Sequence, residues 1–195
     1  MTTKERIIEE AFKLFLNHNF EKVSIIDLEK AIGKTRGAIF YFFKNKEELF
    51  NEVVDTYIVK TQNPSDKFKF DDDFSLEQFI YQYINGINTT MSKMLSLSVV
   101  NIYKHYFSLY MQASRIYPNF SEIMIQNSMD ELNLWEKVIS RAVQTKEIKE
   151  VDTRRYATIF RSCFLGLAFD RCFSYGLNTE ELLAIYMDIY DRIKK

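Results

Sequence analysis

The stretch Gly33-Lys34-Thr35-Arg36-Gly37-Ala38-Ile39-Phe40-Tyr41-Phe42-Phe43-Lys44-Asn45-Lys46 sets an apolar and aromatic run between basic residues and contains no acid. Thr35 is suited to cap a short helix from Arg36 to Phe42, and Gly33 to end the helix before it as a left-handed residue. Ser24 with Asp27 has the spacing of a capping box and opens that preceding helix, which runs through Ala31. Upstream, Ile7, Ile8, Ala11, Phe12 and Phe15 recur at helical spacing between Thr3 and Asn17. Three short helices, the last two joined by a glycine turn, have the layout of a helix-turn-helix, whose third helix enters the major groove of DNA. Ile39, Phe42 and Phe43 then face inward as core, while small Gly37 and Ala38 let the backbone approach base edges.

Charge limits where a polyanion can bind. The 195 residues hold 26 Lys and Arg against 27 Asp and Glu, a net charge of −1. A wholly basic nucleic-acid protein is excluded, and any DNA contact is local. Lys30, Lys34, Arg36, Lys44 and Lys46 cluster around the third helix, where duplex phosphates require charge. Lys30, Lys34 and Lys44 also read as plain solvated charges, and Tyr41 as a half-buried core tyrosine. Arg36 is the strongest base-reading candidate, because arginine is the commonest guanine reader.

The composition, 47% hydrophobic with 5 Gly and 2 Pro, is that of a globular helical protein. Cys163 and Cys172 lie about 13.5 Å apart along a helix, too far for a disulfide, and read as free thiols. No secretory signal and no run of ~20 apolar residues appears, so a cytoplasmic protein without a membrane span is expected. His18 and His105 lack metal-ligand spacing, and no nucleophile elbow or phosphate loop occurs. No enzyme activity, cofactor or metal is expected.

Beyond Asn45 and Glu48, which open a fourth helix carrying Leu49, Phe50, Val53, Val54, Tyr57 and Ile58, residues 61–74 read as a connecting loop. Ser75 with Gln78, Asp152, and Asn178 with Glu181 are caps of later helices. Another helix carries Val99, Tyr103, Tyr106 and Tyr110 and stops before Pro118, and a longer one spans about 121–147. The fold class is all-α, with about nine helices. The helix after Asp152 has two apolar stripes on opposite sides, one for its own domain and one for a partner copy. Ser162, Leu165, Gly166, Phe169 and Phe173, with Tyr186, Ile189 and Tyr190 from the last helix, form the expected dimer interface, a four-helix bundle made by two chains. A helix buried centrally in a monomer is the alternative. Tyr83, Met91, Tyr103, Tyr106, Tyr110, Trp135, Phe160 and Phe164 read either as ordinary core or as the lining of a mostly apolar ligand pocket.

From Lys4 to Phe50 the order of residues resembles the TetR family of bacterial transcriptional regulators. The matching positions include Arg6-Ile7-Ile8, Ala11-Phe12, Leu14-Phe15, Val23-Ser24, Gly33, Thr35, Gly37, Phe40-Tyr41-Phe42-Phe43 and Lys46-Glu47-Glu48-Leu49. The resemblance implies DNA contacts at Thr35, Arg36, Ala38 and Tyr41, and a phosphate held at Lys46 by its charge and a helix start. The full candidate DNA-binding set is Ser24, Lys34, Thr35, Arg36, Gly37, Ala38, Phe40, Tyr41, Lys44 and Lys46. Phe40 stands where the family usually has a phosphate-binding tyrosine, Asn19 replaces a turn glycine, and Glu29, in place of a small residue, is expected to point to solvent. The resemblance also implies a DNA-binding domain over 1–46 and an effector-binding and dimerisation domain over 47–195. The expected function is a homodimeric repressor released from operator DNA by a small, apolar or aromatic effector. The alternative is a helical small-molecule or protein-binding module with a degenerate head.

Overall fold

A computed structural model of the chain describes residues 1–68, 74–96 and 102–195. Val99 lies outside them. The chain forms two compact units. One holds Met1–Thr61 with the described part of Leu97–Met124, the other the described parts of Gln62–Ser96 and Ile125–Lys195.

In the first unit, α1 (Thr3–Asn17) opens on a capping box between Thr2 and Glu5 and buries Ile7, Ile8, Ala11, Phe12, Phe15 and Leu16. A 3₁₀ turn at Phe20–Lys22 leads to α2 (Ile25–Ile32), which ends at Gly33 with φ 68°. That left-handed geometry favours glycine. Helix α3 spans Arg36–Phe40, shorter than expected. Phe42 consequently falls in the turn after it and is half-buried, whereas Ile39 and Phe43 are core. Helix α4 (Lys46–Val54) continues through a π-helical turn, Asp55–Val59, into α5 (Lys60–Gln62). Phe15, Phe20 and Phe50 pack ring to ring, with centroids 4.9 to 5.9 Å apart.

Helix α8 (Ile102–Ile116) completes this unit by packing on α1 and α4 through buried Leu109 and Ala113. Two polar bonds fix it there. His105 Nδ1 lies 2.9 Å from the Leu16 carbonyl oxygen, so that nitrogen carries the proton and donates. Gln112 Oε1 accepts from the Phe20 amide at 2.8 Å.

The second unit contains α6 (Pro64–Lys67), α7 (Leu76–Leu95), most of α9 (Phe120–Gln144), α10 (Thr153–Arg171) and α11 (Thr179–Ile193). Ser75–Gln78 is a capping box, and Asp152 and Asn178 cap α10 and α11 as their spacing predicts. The expected loop over 61–74 is corrected at its start, where α5 ends and α6 forms. Proline suits the first helical turn because its missing N–H would have no partner there. The core is aromatic. Trp135 stacks on Phe160 at 4.7 Å, Phe79 and Tyr186 meet the pair edge to face, and Tyr83 lies tilted against Trp135.

Candidate nucleic-acid interface

Helix α3 is held at its start by two side chains. Thr35 Oγ1 accepts weakly from the Ala38 amide at 3.4 Å. The Glu29 carboxylate, seven residues upstream, accepts from the Arg36 amide. The expectation that Glu29 points away to solvent is therefore corrected: it caps α3. An acid at a helix start is favoured by the exposed N–H groups and the dipole.

Ile39 anchors the helix in the core and leaves the opposite face open. Lys34, Thr35, Arg36, Gly37 and Lys44 are exposed, Ala38 and Phe40 are half-buried, and Tyr41 is 83% exposed. The half-buried alternative for Tyr41 is excluded. The Arg36 guanidinium lies 5.9 Å from the Phe40 ring centroid, so the phenylalanine supports the arginine's stem and face. Among the described residues no ion pair ties down Lys30, Lys34, Arg36 or Lys44. A Cβ on Gly37 would meet nothing within 4 Å, so this chain's own packing does not require glycine there.

Two of the expected contacts have their polar atoms occupied within the chain. The Ser24 hydroxyl donates to Asp27 Oδ2 at 2.6 Å and accepts from the Asp27 amide at 3.2 Å. The Ser24 hydroxyl and the Ser24 amide, which also donates to Asp27 Oδ2 at 2.9 Å, hold the Asp27 carboxyl below its ordinary range. The Lys46 ammonium turns inward, donating to the carbonyls of Phe20 at 2.8 Å and Val23 at 2.9 Å. It also sits 4.2 Å from the Phe20 ring centroid. Desolvation lowers its pKa from the usual lysine value. Lys46 thus staples the turn before α2 to the start of α4. At that start Asn45 accepts from the Glu48 amide, and Glu48 accepts in turn from the Lys44 amide.

The remaining candidates fall in two places. Tyr103, Tyr106 and Tyr110 belong to α8 in the first unit, while Tyr83, Met91, Trp135, Phe160 and Phe164 belong to the second. Tyr83, Trp135 and Phe160 are fully buried against one another. Of the expected dimer residues, Ser162, Leu165, Gly166, Phe169 and Phe173 are exposed. With Ile159 they form a stripe along α10 and just past it. Tyr186 and Tyr190 are instead buried in their own unit. Tyr186 Oη donates to the Phe160 carbonyl at 2.8 Å, and Tyr190 Oη to Glu147 at 3.1 Å. Period alone places these tyrosines on an apolar face without saying which body covers it.

Residues 7–53 match the family described as bacterial regulatory proteins, tetR family. Within that region the chain is 40% identical over 53 residues to the probable acrEF/envCD operon repressor of Escherichia coli K12. The match covers 27% of this chain and 24% of that repressor, so the chain spans about a quarter of the length of the curated relative it matches. The whole fold is similar to a TetR-family transcriptional regulator from Agrobacterium tumefaciens, with TM-score 0.66 at 14% identity over 99% of this chain and 98% of that one. It is also similar to a SmeT–triclosan complex, with TM-score 0.63 at 18% identity over 100% of this chain and 93% of that one. The amino-terminal helix-turn-helix, residues 7–53, is thus that of the bacterial regulatory proteins of the tetR family, and the fold of the chain is similar to that of such regulators along its length.

Proposed function

We propose that the chain is a homodimeric transcriptional repressor, acting in the cytoplasm, that binds operator DNA through α3 and releases it when a small molecule occupies the carboxy-terminal region. Residues 1–46 serve as the reading head, and 47–195 serve effector binding and dimerisation. The observation that carries this reading is the exposed face of α3, where Arg36, Gly37 and Tyr41 lie open to solvent beside Lys34 and Lys44. Cations without acidic partners, on a helix anchored by one buried residue, suit phosphate and base-edge contact. Arg36 and Tyr41 are assigned to the groove, Lys34 and Lys44 to phosphates. Ser24 and Lys46 contribute mainly by building the frame.

The exposed α10 stripe supports pairing of two copies. Such a stripe is costly in water, and two-fold pairing covers it with itself. A palindromic site requires two reading heads about 34–36 Å apart, one turn of DNA, and a pair of copies supplies two. The similarity to a SmeT–triclosan complex supports small-molecule control. An effector releases DNA only by preferring the arrangement that fits it poorly.

The test is binding to a DNA fragment from upstream of the chain's own gene, measured across salt. Arg36→Ala is expected to weaken binding by at least tenfold, a loss of about 1.4 kcal/mol, without changing the melting temperature. Unchanged affinity in Arg36→Ala and Lys34→Ala together defeats the proposal.

A further inference from the structure

We propose that the interior of the carboxy-terminal unit takes an organic anion, whose charged group meets Lys67 and Arg161 and whose apolar body lies beside Phe164. This rests on the effector reading above and names the chemical class of the effector.

The basis is an imbalance of charge and of hydrogen-bond donors. Asn127, Glu131 and Trp135 recur every fourth residue along one face of α9, so they line one strip of the unit's interior. Glu131 is its one acid, and both of its oxygens are taken. Oε1 accepts from Tyr83 Oη at 2.6 Å, and Oε2 accepts from Arg161 Nε at 3.0 Å. Lys67 brings a second cation. Its ammonium lies 4.8 Å from the Phe164 ring centroid and 5.2 Å from that of Phe68, and Phe68 in turn stacks on Tyr83 at 4.2 Å. Among the described residues no carboxylate forms an ion pair with Lys67. Burial pushes its pKa down, while Glu131 acts only as a more distant charge opposing that shift.

Two cations therefore face one carboxylate that is already satisfied. Lys67 is half-buried, and a charge drawn partly out of water without an ion pair among the described residues is costly, a cost that cation–π contact with two phenylalanines offsets only in part. The neutral groups lean the same way. Among the described residues, Asn127 Nδ2 is buried without a partner, and Trp135 Nε1, beside the Tyr83 hydroxyl, finds no hydrogen bond of good geometry. A neutral ligand would leave the charge as it is, and a cationic one would add to it. A carboxylate or comparable anion neutralises Lys67 and gives the Nη groups of Arg161 an acceptor. Phe164, which is half-buried, supplies apolar surface for the rest of such a molecule.

Trp135 is the single tryptophan of the chain, so its fluorescence reports directly on this region. The full chain is titrated with 4-phenylbutyrate and octanoate, and with the corresponding primary amides and amines. The acids are expected to change Trp135 emission and raise the melting temperature. The amides should bind at least about tenfold more weakly and the amines not at all, since a site built for one charge rejects analogues lacking it. Lys67→Met should weaken the acids about tenfold while raising the melting temperature of the unliganded protein, because the unpaired charge is gone. Lys67→Arg should retain the response. An amide matching its acid, or an amine binding better, overturns the anion assignment and leaves the effector reading standing. A fall in unliganded stability in Lys67→Met, with no response to any congener, overturns it too, because Lys67 is then structural. The effector reading fails by a different measurement, when no member of a charge-diverse compound library displaces the bound duplex.

Discussion

Replacing Lys46 with methionine separates a structural lysine from a DNA-binding one. Methionine keeps the unbranched stem beside Phe20 and removes the ammonium, with its two bonds to the Phe20 and Val23 carbonyls. A fully buried bond from a charged donor is worth ~1.5–3 kcal/mol. Lys46 is only partly buried, so water recovers much of that, and the pair together is expected to contribute about 2 kcal/mol. For a chain of this length that loss lowers the melting temperature by about 4–8 °C. Thermal unfolding measures the stability, and fluorescence anisotropy of a labelled duplex, taken well below the melting temperature, measures the binding. If the ammonium is a staple, the slope of log affinity against log salt stays as in the parent protein. If instead it neutralises a phosphate, its removal flattens that slope by about 0.9 per protomer, or about 1.8 for a bound dimer. An unchanged melting temperature together with a flattened slope would refute the staple and restore Lys46 to the phosphate-binding set.

Two other substitutions probe packing and pairing. Gly86→Ala places a Cβ 2.5 Å from the Lys67 carbonyl oxygen and 2.8 Å from the Phe68 ring. The overpacking costs about 1–3 kcal/mol, against a gain in helix propensity of ~1 kcal/mol. A net fall in melting temperature is expected, and a rise would mean that α6 does not pack on α7 as described. Gly166→Arg should give folded monomers in sedimentation velocity, since a side chain there meets nothing within 4 Å in its own chain. A dimer of unchanged affinity would remove the α10 stripe from the interface.

Local signals are legible in the sequence, and contacts between distant segments are not. The caps at Ser24, Thr35, Asn45, Ser75, Asp152 and Asn178, and the left-handed Gly33, each depend on residues within a few positions and stand where their spacing puts them. The inward turn of Lys46 depends on carbonyls 26 and 23 residues away. The Glu29 bond spans seven residues and a change of helix direction. Helix α6 is hidden because four residues, the first of them a proline, show no period in an acid-rich stretch. Glu131 does carry a signal: it shares a face with Trp135, four residues on, and an acid on a buried stripe asks for a partner. Its partners Tyr83 and Arg161 lie 48 and 30 residues away, and nothing nearby marks them.

Three glycines show how much the structure adds to a residue type that reads alike everywhere in a sequence. Each stands in a helix and costs up to ~1 kcal/mol relative to alanine. At Gly86 the cost is explained within the chain, because α7 approaches the Lys67 backbone too closely for any side chain. At Gly37 and Gly166 a methyl group would enter open space. Neither packing nor backbone conformation within this chain accounts for glycine there, since neither residue has positive φ. Under the proposed function, the glycine at each place leaves room for another molecule to approach the helix backbone closely. Gly37 lies between Arg36 and Tyr41 on the exposed face of α3, and Gly166 in the exposed stripe of α10. The two positions correspond to the two partners proposed, a duplex at one and a second copy at the other. Gly37→Ala should accordingly leave stability unchanged or raised while weakening DNA binding, a combination that a purely structural glycine cannot produce.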